Sequence, residues 1–371
     1  MISGAPSLFV STFATAKPVG IDAYVERHVD EYRYYGSGKL ALRDGLRTVS
    51  DDGDNVLLPA YVPDAVAEPI RELGLEARYY AIRNDLGPDM ADLEARLDAG
   101  TVAVVSVNYF GFPQPGLAEL SAYARDNDCY HVDDNAHSAL SVHEGRLLGT
   151  VGDLGITCLW KSLPLPDGAL LYLQSSELRD RFEPSPLTGV NERFQGEDLA
   201  YVCKSFLKDV FADGTLVRNS LDALVHSRRG SEPLDPSERY ESTKAPMSKL
   251  SAGLIAGVDP MAVRTRRREN YRAWLDVLAD RPDVVSLYHS LPDGICPQSF
   301  PAYAETPERL LADLAALDVE GAHAWPRLSR DVDEDPAFET ASRLARHVVS
   351  LPVHQHVNPE HIAAIGDAIV D

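Results

Sequence analysis

Between residues 39 and 173, short apolar runs alternate with helical patterns, and that alternation leaves few folds open. Lys39 to Val49 reads as a helix with Leu40, Leu42 and Leu46 at roughly helical spacing, and Asn55 to Leu58 as a strand ending at Pro59. Ala65 to Leu73 is helical, Glu76 to Ala81 extended, and Met90 to Leu97 helical again. Val102 to Val107 is a β-branched run of the kind found in buried parallel strands. Leu117 to Arg125 adds a helix, and Cys129 to Val132 and Ala169 to Leu173 add two strands. Strands separated by helices in this way predict a mainly parallel central sheet with helices on both faces. A long amphipathic helix from Met261 to about Leu278 opens a stretch of different character. A large domain is therefore expected over 1–254 and a smaller C-terminal one over 255–371. Residues 174–245 have no clean period, and Ser227 to Ser237 reads as a loop.

Charge narrows the partners. The 371 residues include 57 acidic and 35 basic ones, a net charge of −22. Such a surface repels phosphate backbones, which argues against nucleic-acid binding. Only seven of the basic residues are lysine: Lys17, Lys39, Lys161, Lys204, Lys208, Lys244 and Lys249. An acidic, lysine-poor surface suits concentrated salt, where screening removes self-repulsion; codon bias toward arginine and aspartate is the alternative. No apolar run is long enough to span a membrane, and the N-terminal stretch lacks the basic head of a signal peptide. Cys129, Cys158, Cys203 and Cys296 form no C-x-x-C pair, which fits a reducing cytoplasm and suggests no metal site.

Three segments carry candidate chemistry. The first is Gly36-Ser37-Gly38-Lys39. A P-loop would need a glycine at position 33 and Ser or Thr at position 40, where Arg33 and Leu40 stand. Gly36, Gly38 and Ala41 satisfy a dinucleotide fingerprint, though with no clear strand before them. The third option is a glycine turn whose free amides and helix dipole hold a single phosphate. The second segment, Val132-Asp133-Asp134-Asn135-Ala136-His137, follows a strand, where open α/β sheets bind ligands; a solvated loop is the alternative, and a metal site lacks a further ligand cluster. In the third, Lys161 is flanked by Leu159, Trp160, Leu163 and Leu165. Lysines usually lie on solvated surfaces, and an apolar setting favours the neutral, nucleophilic amine used in Schiff-base chemistry; a surface lysine whose stem snorkels along those apolar residues is the alternative, and the favoured one for this segment taken alone. The arginines Arg264, Arg266, Arg267 and Arg268 are expected on the solvated face of the long helix. His354 and His356 are expected in a surface loop.

Taken together and in order, these segments resemble the DegT/DnrJ/EryC1/StrS family, sugar aminotransferases with the type I fold of pyridoxal 5'-phosphate (PLP) enzymes. Ser37-Gly38-Lys39-Leu40-Ala41-Leu42 is similar to its helix-opening S-G-T-x-A-L, and Gly53 to Pro59 to its G-D-x-V-x-x-P. Val107 to Pro113 matches V-x-x-x-G-x-P, Asp133 to His137 resembles E-D-A-A-[HQ], and Gly152 to Gly155 is its G-D-x-G. Met247 to Leu250 and Ser350 to His354 look like its M-S-x-L and L-P-x-H segments.

The resemblance implies the aspartate-aminotransferase-like fold and a set of roles. Asp134 would pair with the pyridine nitrogen, and His137 would lie near the 3'-oxygen. Backbone amides at Gly38 and Lys39 would hold the phosphate, and Lys161 would carry the cofactor and shuttle a proton. Tyr61 stands near the position of the aromatic that stacks on the ring, which itself falls at Pro63. Lys244 replaces an asparagine that reaches the partner's phosphate in a homodimer. Cys158 and Leu159 depart from the family's Ser and Phe ahead of the lysine. The implied reaction moves an amino group, with glutamate as donor, to a keto sugar carried on a nucleotide. A PLP enzyme acting on a non-sugar substrate and a non-catalytic binding module are its rivals; a nicotinamide oxidoreductase rests on the glycine match alone.

Overall fold

The computed structural model describes residues 2–8, 19–51, 54–210 and 240–366, so the loop expected over Ser227 to Ser237 lies outside the described residues. The strands of the first half are β1 (Tyr32–Tyr35), β2 (Asn55–Pro59), β3 (Glu76–Tyr80), β4 (Thr101–Val107), β5 (Tyr130–Asn135), a ribbon of β6 (Val142–His143) and β7 (Arg146–Leu147), β8 (Leu154–Cys158) and β9 (Ala169–Leu173). Seven of them form one sheet in the order β1-β9-β8-β5-β4-β2-β3. All pairings from β3 to β8 are parallel, and β9 alone runs against its neighbours β8 and β1. Every residue of β2, β8 and β9 is buried, as expected of strands covered on both faces.

The sequence pattern located β2, β3, β4, β5 and β9 to within a few residues, but not β1 or β8. Three of the four β1 residues are tyrosine and three are only half-buried, so no apolar run marks it. In β8 a glycine interrupts the run. A Cβ on Gly155 would lie 1.6 Å from the carbonyl oxygen of Gly149, so no other residue fits. The helix expected over Ala65 to Leu73 is two pieces, a 3₁₀ turn at Asp64–Val66 and a short α-helix at Glu68–Glu72 with Pro69 in its first turn.

A second, antiparallel sheet follows, with β10 (Val284–Ser286), β11 (Ser299–Ala304), β12 (His323–Ala324) and β13 (Val348–Pro352) in the order β10-β11-β13-β12. The helix Pro260–Leu278 begins at a sequence-legible cap, with Asp259 accepting from the amides of Met261 and Ala262. Its arginines depart from the expected solvated face: Arg267 is buried and Arg268 nearly so. His354 is likewise buried rather than in a surface loop. Its Nε2 bonds the Ser3 carbonyl at 2.6 Å, and His356 Nδ1 accepts from the Ser7 amide at 2.7 Å. Together the two histidines pin the N-terminal residues onto the second sheet.

Candidate active site

Because six strands of the main sheet share a direction, their carboxyl ends meet along one edge, and the three candidate segments leave from it. β1 leads through Gly36 into the helix Gly38–Val49, β5 ends at Asp134 and Asn135, and β8 leads into a short turn over Leu159–Lys161. There they enclose a cavity of about 180 Å³ lined by Ser37, Gly38, Lys39, Val62, Pro63, Asp134, His137, Cys158, Lys161 and Trp325. A second cavity of about 460 Å³ adjoins it and shares His137, Trp160, Lys161 and Trp325.

One wall is a helix end without a cap. Ser37 makes no side-chain bond to the first turn, and the first intrahelical bond runs from the Ala41 amide to the Ser37 carbonyl. The amides of Gly38, Lys39 and Leu40 therefore have no helical partner. Ser37 Oγ is buried and unpartnered as well. Gly38 is required for closeness: a Cβ there would lie 2.5 Å from Cys158 Sγ. Lys39 Nζ turns to Glu68 at 2.5 Å and sits over the Tyr240 ring.

On the opposite side, strand alternation separates the two adjacent aspartates. Asp133 is consumed internally, accepting from Asn108 Nδ2 at 2.7 Å and from the amides of Gly149 and Val151. Asp134 lines the cavity. It accepts only from the Ala136 amide, at 2.8 Å, among the described residues. Burial raises its carboxyl to about 6, against the downward pull of Lys161. His137 Nδ1 accepts from the Phe110 amide at 3.0 Å, and burial holds the imidazole neutral well below its usual pKa. Lys161 is half-buried and borders both cavities.

Two expected residues lie elsewhere. Tyr61 is fully buried behind the wall and does not line the cavity. Its hydroxyl bonds the carbonyl of Trp325, and the Trp325 ring faces the cavity region instead, packed on His137 at 5.0 Å. Lys244 pairs with Glu72 at 2.9 Å and Glu241 at 2.6 Å and does not reach this chain's cavity. Sequence reasoning missed Trp325 because no motif surrounds it and it arrives from the second sheet, more than 160 residues after Lys161. It noted Cys158 and Ser37 only as parts of motifs.

The sequence profile of the DegT/DnrJ/EryC1/StrS aminotransferase family matches residues 34–211, the span that supplies Ser37, Asp134, His137 and Lys161. Over those residues the chain is similar to the DegT/DnrJ/EryC1/StrS family. Two curated relatives match over part of it. The spore coat polysaccharide biosynthesis protein SpsC of Bacillus subtilis is 27% identical over 143 residues, 38% of this chain and 36% of SpsC. GDP-perosamine synthase of Escherichia coli O157:H7 is 22% identical over 160 residues, 42% of this chain and 44% of that protein. The chain thus spans less than half the length of either. Among solved structures, the aminotransferase TlmJ of Streptoalloteichus hindustanus superposes with a TM-score of 0.67 at 18% identity, covering 94% of this chain and 88% of TlmJ. At that identity the likeness shows the fold, which is the type I fold of PLP aminotransferases. The fold likeness extends beyond residues 34–211, since it covers 94% of the chain.

Proposed function

We propose that this protein is a PLP-dependent aminotransferase acting on a keto sugar carried on a nucleotide, with an amino acid such as glutamate as donor. The observation that carries the reading is the polarity of the smaller cavity. At one end, helix amides without an intrahelical partner and the orphaned Ser37 hydroxyl suit an anion with several acceptors. Asp134, a buried carboxylate with no cationic hydrogen-bond partner among the described residues, requires a protonated donor. Lys161 lines the same cavity and the adjoining one. PLP has a phosphate, a pyridine nitrogen and an aldehyde, and so matches these three demands.

When bound, PLP supplies an electron sink for the charge left as a C–H bond beside the transferred amine breaks. Asp134 keeps the ring nitrogen protonated. Gly38, Lys39 and Ser37 would anchor the phosphate, and neutral His137, packed on Trp325, would lie against the cofactor. Lys161 Nζ would hold the cofactor by its aldehyde carbon and, once released by the donor amine, would move a proton between the amine-bearing carbon and that cofactor carbon. Burial of the surrounding walls keeps water from competing for that proton. The nucleotide-sugar acceptor is supported by the family and by the partial likeness to GDP-perosamine synthase. The protein acts as a homodimer in this reading, and Lys244, by its position ahead of Met247-Ser248, is assigned to the partner's phosphate.

The test is turnover. PLP-loaded protein given glutamate and a panel of nucleotide-linked keto sugars should release 2-oxoglutarate with at least one of them, and Lys161→Ala should not. Tight PLP binding without turnover on any acceptor would favour the binding-module rival.

A further inference from the structure

The beginning of the chain forms part of the larger cavity: Gly4, Ala5 and Pro6 line it together with Trp160 and Lys161. Ile2 fixes the near end of this strap. It is buried and bridges Val319, its amide donating to the Asp318 carbonyl at 2.9 Å and its carbonyl accepting from the Glu320 amide at 2.8 Å. Two residues on, backbone meets backbone. A Cβ on Gly4 would lie 2.7 Å from Gly321 Cα, and one on Gly321 would lie 2.4 Å from Gly4 Cα, so the approach requires glycine on both sides. Two imidazoles hold the rest. His354, which also lines the cavity, accepts at Nδ1 from the His356 amide at 3.3 Å, so its hydrogen is on Nε2 and donates to the Ser3 carbonyl at 2.6 Å. Burial pushes His354 down to about 3 and so keeps it neutral, in this tautomer. His356 Nδ1 then accepts from the Ser7 amide at 2.7 Å. Ser3, Gly4 and Ala5 are themselves exposed and bury no side chain. Backbone contacts set their place, and a segment with few buried apolar contacts opens at low free-energy cost.

We propose that Ser3 to Ser7 belong to the substrate site and set how bulky a molecule reaches Lys161, with Gly321, His354 and His356 as the residues that position them. This rests on the function proposed above, in which the reacting carbon of the acceptor comes to Lys161 and its sugar occupies this cavity. With the strap docked, Gly4, Ala5 and Pro6 bound the space on one side. With the strap displaced, that side opens to solvent, because the outer surface of Ser3 to Ala5 is already exposed. The residues that bound the acceptor therefore come from the start of the chain, and those that hold them there from its last fifty residues and from Gly321.

The test compares two reagents that strip PLP from the loaded protein as oximes, hydroxylamine and the bulkier O-benzylhydroxylamine. Each rate is followed by cofactor absorbance and divided by that reagent's rate with free PLP. Wild type should react with O-benzylhydroxylamine at least tenfold more slowly than with hydroxylamine. Gly4→Val puts a branched side chain where the Gly321 backbone stands and should displace the strap. It should raise the O-benzylhydroxylamine rate at least fivefold and the hydroxylamine rate less than twofold. His356→Ala removes the acceptor of the Ser7 amide and should change the ratio in the same sense. A general loosening of the fold would raise both rates together and leave their ratio as it was. Equal normalised rates in wild type, or variants that keep the wild-type ratio, overturn the proposal. Protein that takes up no PLP overturns it together with the aminotransferase reading; loaded protein whose rates ignore the strap contradicts the strap alone.

Discussion

The Tyr61 hydroxyl donates to the backbone carbonyl of Trp325 at 2.8 Å, and the two rings meet edge to face with centroids 5.3 Å apart. This pair joins the loop after β2 to the residue after β12 and so couples the two sheets beside the site. Trp325 is further packed against Tyr109, Phe110 and His137. Tyr61 therefore acts on the cavity from behind, through the tryptophan.

Tyr61→Phe keeps the ring and removes the hydrogen bond. It should lower the unfolding free energy by about 1 kcal/mol, the usual worth of such a bond, with a further loss for the buried carbonyl left without its partner. Urea denaturation at neutral pH measures this. A variant as stable as wild type would show that the contact does not hold the two sheets together.

Asp134 makes the protein pay for its site in stability, and the pH dependence has a definite sign. Burial raises its carboxyl from 3.8 to about 6, so the folded chain holds this proton more tightly than the unfolded chain. Its contribution is therefore most favourable below about pH 4 and is lost as pH rises through about 6. Asp134→Asn removes the penalty. Without PLP it should be more stable than wild type at pH 8, by up to about 3 kcal/mol, and indistinguishable from it near pH 4. Paired denaturation curves at the two pH values decide this, and a variant that is less stable at pH 8 would mean the carboxylate already has a cationic partner.

Where the chemistry is local in sequence, it was legible in the sequence. Ser37 to Lys39, Asp134, His137 and Lys161 each sit at the end of a strand, so strand–helix alternation and short motifs suffice to bring them to one edge. What the sequence hid depends on the tertiary fold. The strand β1 lacks an apolar run, and β8 contains a glycine that only its contact with Gly149 explains. Arg267 looks like one of four surface arginines until the second sheet closes over it. Trp325 has no sequence neighbour in the site, and its place follows from aromatic packing across the two sheets.

The surface charge yields a further expectation. With a net charge of −22, self-repulsion should be strong in dilute buffer and screened at molar salt, where the Debye length is about 3 Å. Thermal melts should therefore move upward between about 0.1 M and about 1 M potassium chloride. Identical midpoints would leave codon bias as the source of the composition.

Lys161 is the point on which the account stands or falls. Among the described residues it is the lysine that borders both cavities, whereas Lys39 is turned toward Glu68 and Lys244 toward Glu72 and Glu241. The direct measurement is to load the protein with PLP, reduce with borohydride, digest, and map the pyridoxyl label by mass spectrometry. The account predicts label on Lys161 alone and none on Lys161→Ala protein. Label on another lysine, or none on the wild type, would contradict it.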